Sequence, residues 1–102
     1  MKLAEELEER FFDILLRTIN YAIEFSEERS YASLRFMDLF SSLLDLQPII
    51  LRETRRDEFY GRLREKLKSR EVMESGEERS RFQREILEMF IDEWRRSLPK
   101  GP

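Results

Sequence analysis

Apolar residues recur at helical spacing along most of this chain, and the polar residues between them fall on narrow lines. Across residues 3–29, Glu6, Arg10, Asp13, Arg17, Asn20, Glu24 and Glu27 follow one another at alternating steps of four and three. At about 100° per residue they form one stripe about 100° wide, leaving an apolar arc of roughly 220°. A helix with so broad an arc is expected to touch neighbours on several sides. Glu6 with Arg10, and Asp13 with Arg17, are i,i+4 pairs with the acid first, worth about 0.3 kcal/mol each.

Residues 31–47 repeat the design with a narrower polar line of Tyr31, Arg35, Asp38, Ser42 and Asp45. Ser30 suits the N-cap, because its hydroxyl can accept from a free backbone N–H, and Pro48 is expected to stop the helix or start the next turn. The wide apolar arc makes this the expected central helix. Ser33 and Ser41 lie within that arc, where small side chains allow close helix approach and hydroxyls can bond back to the backbone. Ile49-Ile50-Leu51 then reads as a short buried helical turn. Residues 54–70 carry only a thin apolar edge of Phe59, Leu63 and Leu67 with Tyr60 beside it, so an outer helix is expected there. Gly61 weakens it by about 1 kcal/mol relative to Ala. Ser75-Gly76 is the clearest break. Over residues 77–98, Phe82, Ile86, Leu87, Met89, Phe90, Ile91 and Trp94 share one broad face, with Glu93 inside the same arc. The acids Glu85, Glu88 and Asp92 lie opposite, among arginines.

These segments predict an all-α fold: a bundle of four helices, five if Ile49-Leu51 forms its own turn, in an antiparallel or irregular up-down arrangement. The chain reads as a single helical domain over residues 1–98, with 99–102 as a C-terminal tail. Three of the apolar arcs are wider than 102 residues can cover, so a homodimer or higher oligomer is expected, through the first and fourth segments.

Composition narrows the chemistry. The chain has 40% apolar and 40% charged residues, a net charge of −3, and neither His nor Cys. Without Cys there is no disulfide to suggest secretion. Met1-Lys2-Leu3-Ala4-Glu5-Glu6 carries acids where a signal peptide needs an apolar run, and no membrane span is expected. Cytoplasmic localisation follows as the expectation. Abundant Glu and Arg suit a heat-adapted protein. Without His no Ser-His-Asp triad can be assembled, and no catalytic residue, cofactor site or metal site is assigned.

Three candidate sites remain. Glu5, Glu6, Glu8 and Glu9, set against Glu85, Glu88 and Asp92, would supply the hard oxygens that magnesium requires in a nucleotide phosphohydrolase, but the latter three fall on the charged face. The stretch 52–70 holds 8 basic and 4 acidic residues, net +4. Within it Arg55, Arg56, Arg62, Arg64 and Lys66 are candidates for tracking nucleic-acid or other phosphates, the alternative being a solvated face. Residues 1–30 hold 4 basic and 8 acidic groups, net −4, so the two segments could also attract one another. Finally, Tyr31, Arg35, Asp38 and Ser42 share one edge of the second helix and form a candidate ligand site, Arg35 serving as an anion holder.

Tyr31, Leu34-Arg35-Phe36, Asp38 and Ser42, followed by Asp57-Glu58-Phe59 and Leu63-Arg64-Glu65, resemble a small prokaryotic all-helical family of about this length whose function is not established. The chain departs from it where Ala32-Ser33 follow Tyr31 in place of the family's Gly-Pro. The resemblance implies a helical fold and transfers no catalytic residue. The functional expectation is a non-enzymatic, self-associating module for protein–protein interaction or assembly.

Overall fold

The computed structural model describes residues 2–25, 32–51, 54–69 and 76–97. Four helices occupy them: α1 (Lys2–Glu24), α2 (Ala32–Ile50), α3 (Asp57–Leu67) and α4 (Gly76–Ser97). No strand occurs among the described residues, and the all-α bundle expected from the periodicity is the fold that forms. No described helix is long and apolar enough to cross a membrane.

Contacts at the helix ends set the topology. Ser33 at the start of α2 reaches Ala22 near the end of α1, and Arg55 beyond α2 reaches Glu9 near the start of α1. The two helices are therefore antiparallel. Lys66 late in α3 meets Glu85 early in α4, whereas Arg62 faces Glu93 further along, so α3 and α4 are antiparallel as well. The result is an up-down-up-down order in two layers, α1 and α2 backed by α3 and α4.

The layers are joined by aromatic rings, one from each helix. Phe90 of α4 lies 5.2 Å from Phe12 of α1, 4.9 Å from Phe59 of α3 and 6.0 Å from Phe40 of α2, the last two edge-on. Edge-to-face pairs add about 0.5–1.5 kcal/mol each beyond burial alone. Leu15, Ile19, Leu44, Leu63 and Ile86 fill the space around them and are fully buried.

Three local expectations are corrected. First, α2 continues through Pro48 to Ile50, so Ile49-Leu51 makes no separate helix. Pro48 sits in the last turn, where only its own N–H is lost, and the Leu51 N–H still donates to the Gln47 carbonyl at 2.8 Å. Second, the apolar arc of α2 is only partly covered: α2 touches α1, α3 and α4 through Ser33, Gln47 and Phe40, but Leu34, Leu39, Leu46, Ile49 and Ile50 are exposed. Third, the Ser33 hydroxyl donates not within its own helix but to the Ala22 carbonyl of α1. The expected N-cap Ser30, residues 70–75 with Ser75 of the expected break, and residues 98–102 lie outside the described residues.

Candidate functional site

Thr54 and Asp57 form the turn into α3. The Asp57 carboxylate accepts from the Thr54 N–H (3.2 Å) and hydroxyl (3.0 Å), and the Thr54 hydroxyl accepts from the Arg56 N–H (3.0 Å). This lock turns Arg56 inward, where it is only 2% exposed. Its guanidinium lies 4.1 Å from the Phe12 ring centre, 3.3 Å from Glu9 Oε1 and 3.7 Å from Glu8 Oε1. Arg55 points outward and donates to Glu9 at 2.6 Å. Burial raises the Glu8 carboxyl above its ordinary pKa of 4.5, with Arg56 and then Arg55 pulling the other way. Beside this cluster stands Tyr60, fully buried, its hydroxyl without a hydrogen-bond partner among the described residues. Burial pushes the phenol well above its ordinary pKa, so it stays protonated.

Glu93, whose place in the apolar arc left its burial open, is buried and satisfied. Arg96 grips it from one turn on (2.7 and 3.1 Å), and Arg62 lies 3.8 Å away. Hydrogen bonding and the charge of Glu93 raise the Arg96 pKa further. Arg56, Tyr60 and Glu93 are shut off from solvent. The ensemble ties α1, α3 and α4 together.

The five basic residues singled out as phosphate contacts are dispersed and engaged. Arg55 and Arg56 face Glu8 and Glu9, Arg62 faces Glu93, Arg64 donates to Gln47 Oε1 at 2.7 Å, and Lys66 pairs with Glu85. Among the described residues no group of three acidic, His or Cys side chains is placed to hold a metal ion. On α2, Arg35, Asp38 and Ser42 do share one exposed edge, while Tyr31 lies outside the described residues.

What stands open is apolar. On α1, Leu7, Ile14 and Tyr21 are exposed at steps of seven; on α2, Leu39, Leu46 and Ile50 are exposed, with half-buried Phe36 and Leu43 in the same row. The rows adjoin, since the Tyr21 and Phe36 rings are 5.4 Å apart and Phe25 stacks on Phe36 at 5.7 Å. This face lies on the side of α1 and α2 away from α3 and α4. Ile91 and Trp94 of α4 are also exposed.

No family model, curated protein or solved structure matches the chain.

Sequence reasoning missed the inward turn of Arg56, the burial of Glu8 and the unpartnered Tyr60 hydroxyl. One signal was available for the first. Thr54 and Asp57 stand three residues apart just ahead of and at the start of α3, a spacing at which a hydroxyl and a carboxylate can close a turn on one another.

Proposed function

We propose that this protein is a non-enzymatic assembly module that associates with copies of itself. The supporting observation is the adjoining pair of apolar rows on α1 and α2, outside the core and open to water. A helix layer with one apolar face buried and a second one bare is a part that is completed by association. The buried charged groups are held by partners within the fold: Arg56 by Glu8 and Glu9 of α1, and Glu93 by Arg96 of its own helix and Arg62 of α3. A phosphate-binding role for residues 52–70 is less well supported, because Arg56 is buried and Arg64 and Lys66 are engaged by Gln47 and Glu85, leaving only Arg55 and Arg62 of the five largely exposed.

Sedimentation velocity over about 1–200 µM chain tests the reading by mass action. The sedimenting mass should rise towards a multiple of the 12.5 kDa chain. Association through apolar surface should survive about 0.5 M salt, where exposed ion pairs are screened. A 12.5 kDa species throughout would refute self-association.

A further inference from the structure

We infer that the α1–α2 face docks on the same face of a second copy, about a two-fold axis parallel to the helices, with α1 of each chain lying on α2 of the other. The inference rests on the self-association proposed above and specifies its surface, its partner and its order.

Area supports a second copy as occupant. Leu7, Ile14, Tyr21, Leu39, Leu46 and Ile50 are each between 43 and 48% exposed. Side chains of this size offer on the order of 200 Å² when bare, so these six leave on the order of 500 Å² of adjoining apolar surface. A standard interface covers about 800 Å² per partner, about 65% of it apolar in homodimers, which is again about 500 Å². Spacing supports helices as the covering layer. Phe36, Leu39, Leu43, Leu46 and Ile50 advance by three and four residues, the seam of helices packed at a shallow angle.

Charge selects the order. Two face-to-face two-fold arrangements would each complete an antiparallel four-helix layer pair. If the axis ran across the helices at Ile14, α1 would lie on α1, and Arg10 of one chain would come level with Arg17 of the other. Both arginines flank the apolar row, so like charges would meet. With the axis along the helices, α1 lies on α2. The Tyr21–Phe36 contact within the chain then fixes the levels. Arg17 and Arg10 of one chain come within about two residues, about 3 Å, of the levels of Asp38 and Asp45 of the other. Glu24 similarly approaches the level of Arg35. The Arg10–Glu6 and Arg17–Asp13 pairs within the chain are largely exposed, so these guanidiniums can share a second carboxylate.

Two measurements decide it. Ile14→Lys and Leu46→Lys place a charge in the centre of the face, at positions 47% and 46% exposed in the single chain. Each should weaken dimerisation by about a hundredfold or more, because an ammonium would be desolvated without a partner, and circular dichroism should show unchanged helix content. The absence of cysteine makes cross-linking specific. Arg17→Cys and Asp38→Cys proteins, mixed and mildly oxidised, should form the mixed covalent dimer faster than either forms its own. A dimer that keeps its affinity in both Lys variants would overturn the face while leaving self-association standing. Faster self-linking of Arg17→Cys than mixed linking would overturn the α1-on-α2 order. A wild-type chain that stays monomeric would remove both this inference and the reading beneath it.

Discussion

The Arg56 guanidinium lies over the Phe12 ring with 4.1 Å to its centre, and the Glu8 and Glu9 carboxylates complete its surroundings. A desolvated guanidinium on an aromatic face is attracted by the ring quadrupole, by about 2 kcal/mol. The pairing with Glu8 is longer and so weaker. Removing the cation is the costlier change, because it strands a buried carboxylate. Arg56→Ala should lower stability by roughly 3–5 kcal/mol in urea unfolding. Arg55→Ala, a few ångströms away but exposed, should cost less than about 1 kcal/mol. Equal losses at the two positions would contradict the inward assignment of Arg56.

Tyr60 presents the opposite case. Its ring packs on Phe11 at 5.9 Å and on Phe59 at 5.6 Å, while its hydroxyl is buried without a hydrogen-bond acceptor among the described residues. Leaving a buried hydroxyl unpaired costs about 1–3 kcal/mol. Tyr60→Phe removes that group and keeps the ring contacts. It should therefore leave stability unchanged or raise it by about 1 kcal/mol. A loss above about 1 kcal/mol would mean that the hydroxyl has a partner.

The number and type of the helices were legible because a period of 3.6 needs only local sequence. The place of Glu93 within an apolar arc was legible too, but not its burial, which depends on Arg96 and Arg62 to hold its charge. What could not be read was which apolar arcs the chain covers itself. The α2 arc is wider than that of α3, yet α2 leaves Leu39, Leu46 and Ile50 about half exposed while Phe59, Tyr60 and Leu63 of α3 are fully buried. Periodicity records that a face avoids water, not whose side chains cover it. The candidate sites failed for a related reason. Arg56 looks like any other arginine of the basic stretch. Its fate depends on Glu9, 47 residues away, and on a turn that Thr54 and Asp57 hold.

Ser33 joins three helices through one hydroxyl, donating to the Ala22 carbonyl of α1 at 2.9 Å and accepting from Gln83 Nε2 of α4 at 3.0 Å. Gln83 is itself buried, with its Oε1 lacking a partner among the described residues, so losing Ser33 would strand its amide further. Ser33→Ala should cost about 1–3 kcal/mol. Ser42→Ala, on the exposed edge of the same helix, should change stability by less than about 0.5 kcal/mol. Thermal unfolding of the two variants at one chain concentration separates them.

Gly61 lies inside α3, and a Cβ built there would meet nothing within 4 Å. No contact or positive φ calls for glycine at this position. Gly61→Ala should therefore stabilise the protein by about 0.5–1 kcal/mol, by reducing the freedom of the unfolded chain. The urea midpoint should rise with an unchanged slope. A destabilised variant would show that another chain or ligand approaches α3 at this point.

The raised pKa of Glu8 carries a pH signature with a definite sign. Burial, the largest influence, lifts the folded-state value above 4.5, against the pull of Arg56 and Arg55. The native state then holds this proton more tightly than the unfolded chain does. The corresponding stability is fully present below the unfolded value and is lost as pH rises through the folded one. Glu8→Gln mimics the neutral form at every pH, and Glu9 still faces Arg56 at 3.3 Å. The stability of Glu8→Gln relative to wild type should accordingly increase from about pH 4 to about pH 7. Urea midpoints for both proteins across that range, at matched chain concentration, measure the difference directly. If the difference instead falls as pH rises, the attraction of Arg56 outweighs the cost of burial. Glu8 would then belong to a net-stabilising ion pair rather than to a carboxylate held inside against its solvation.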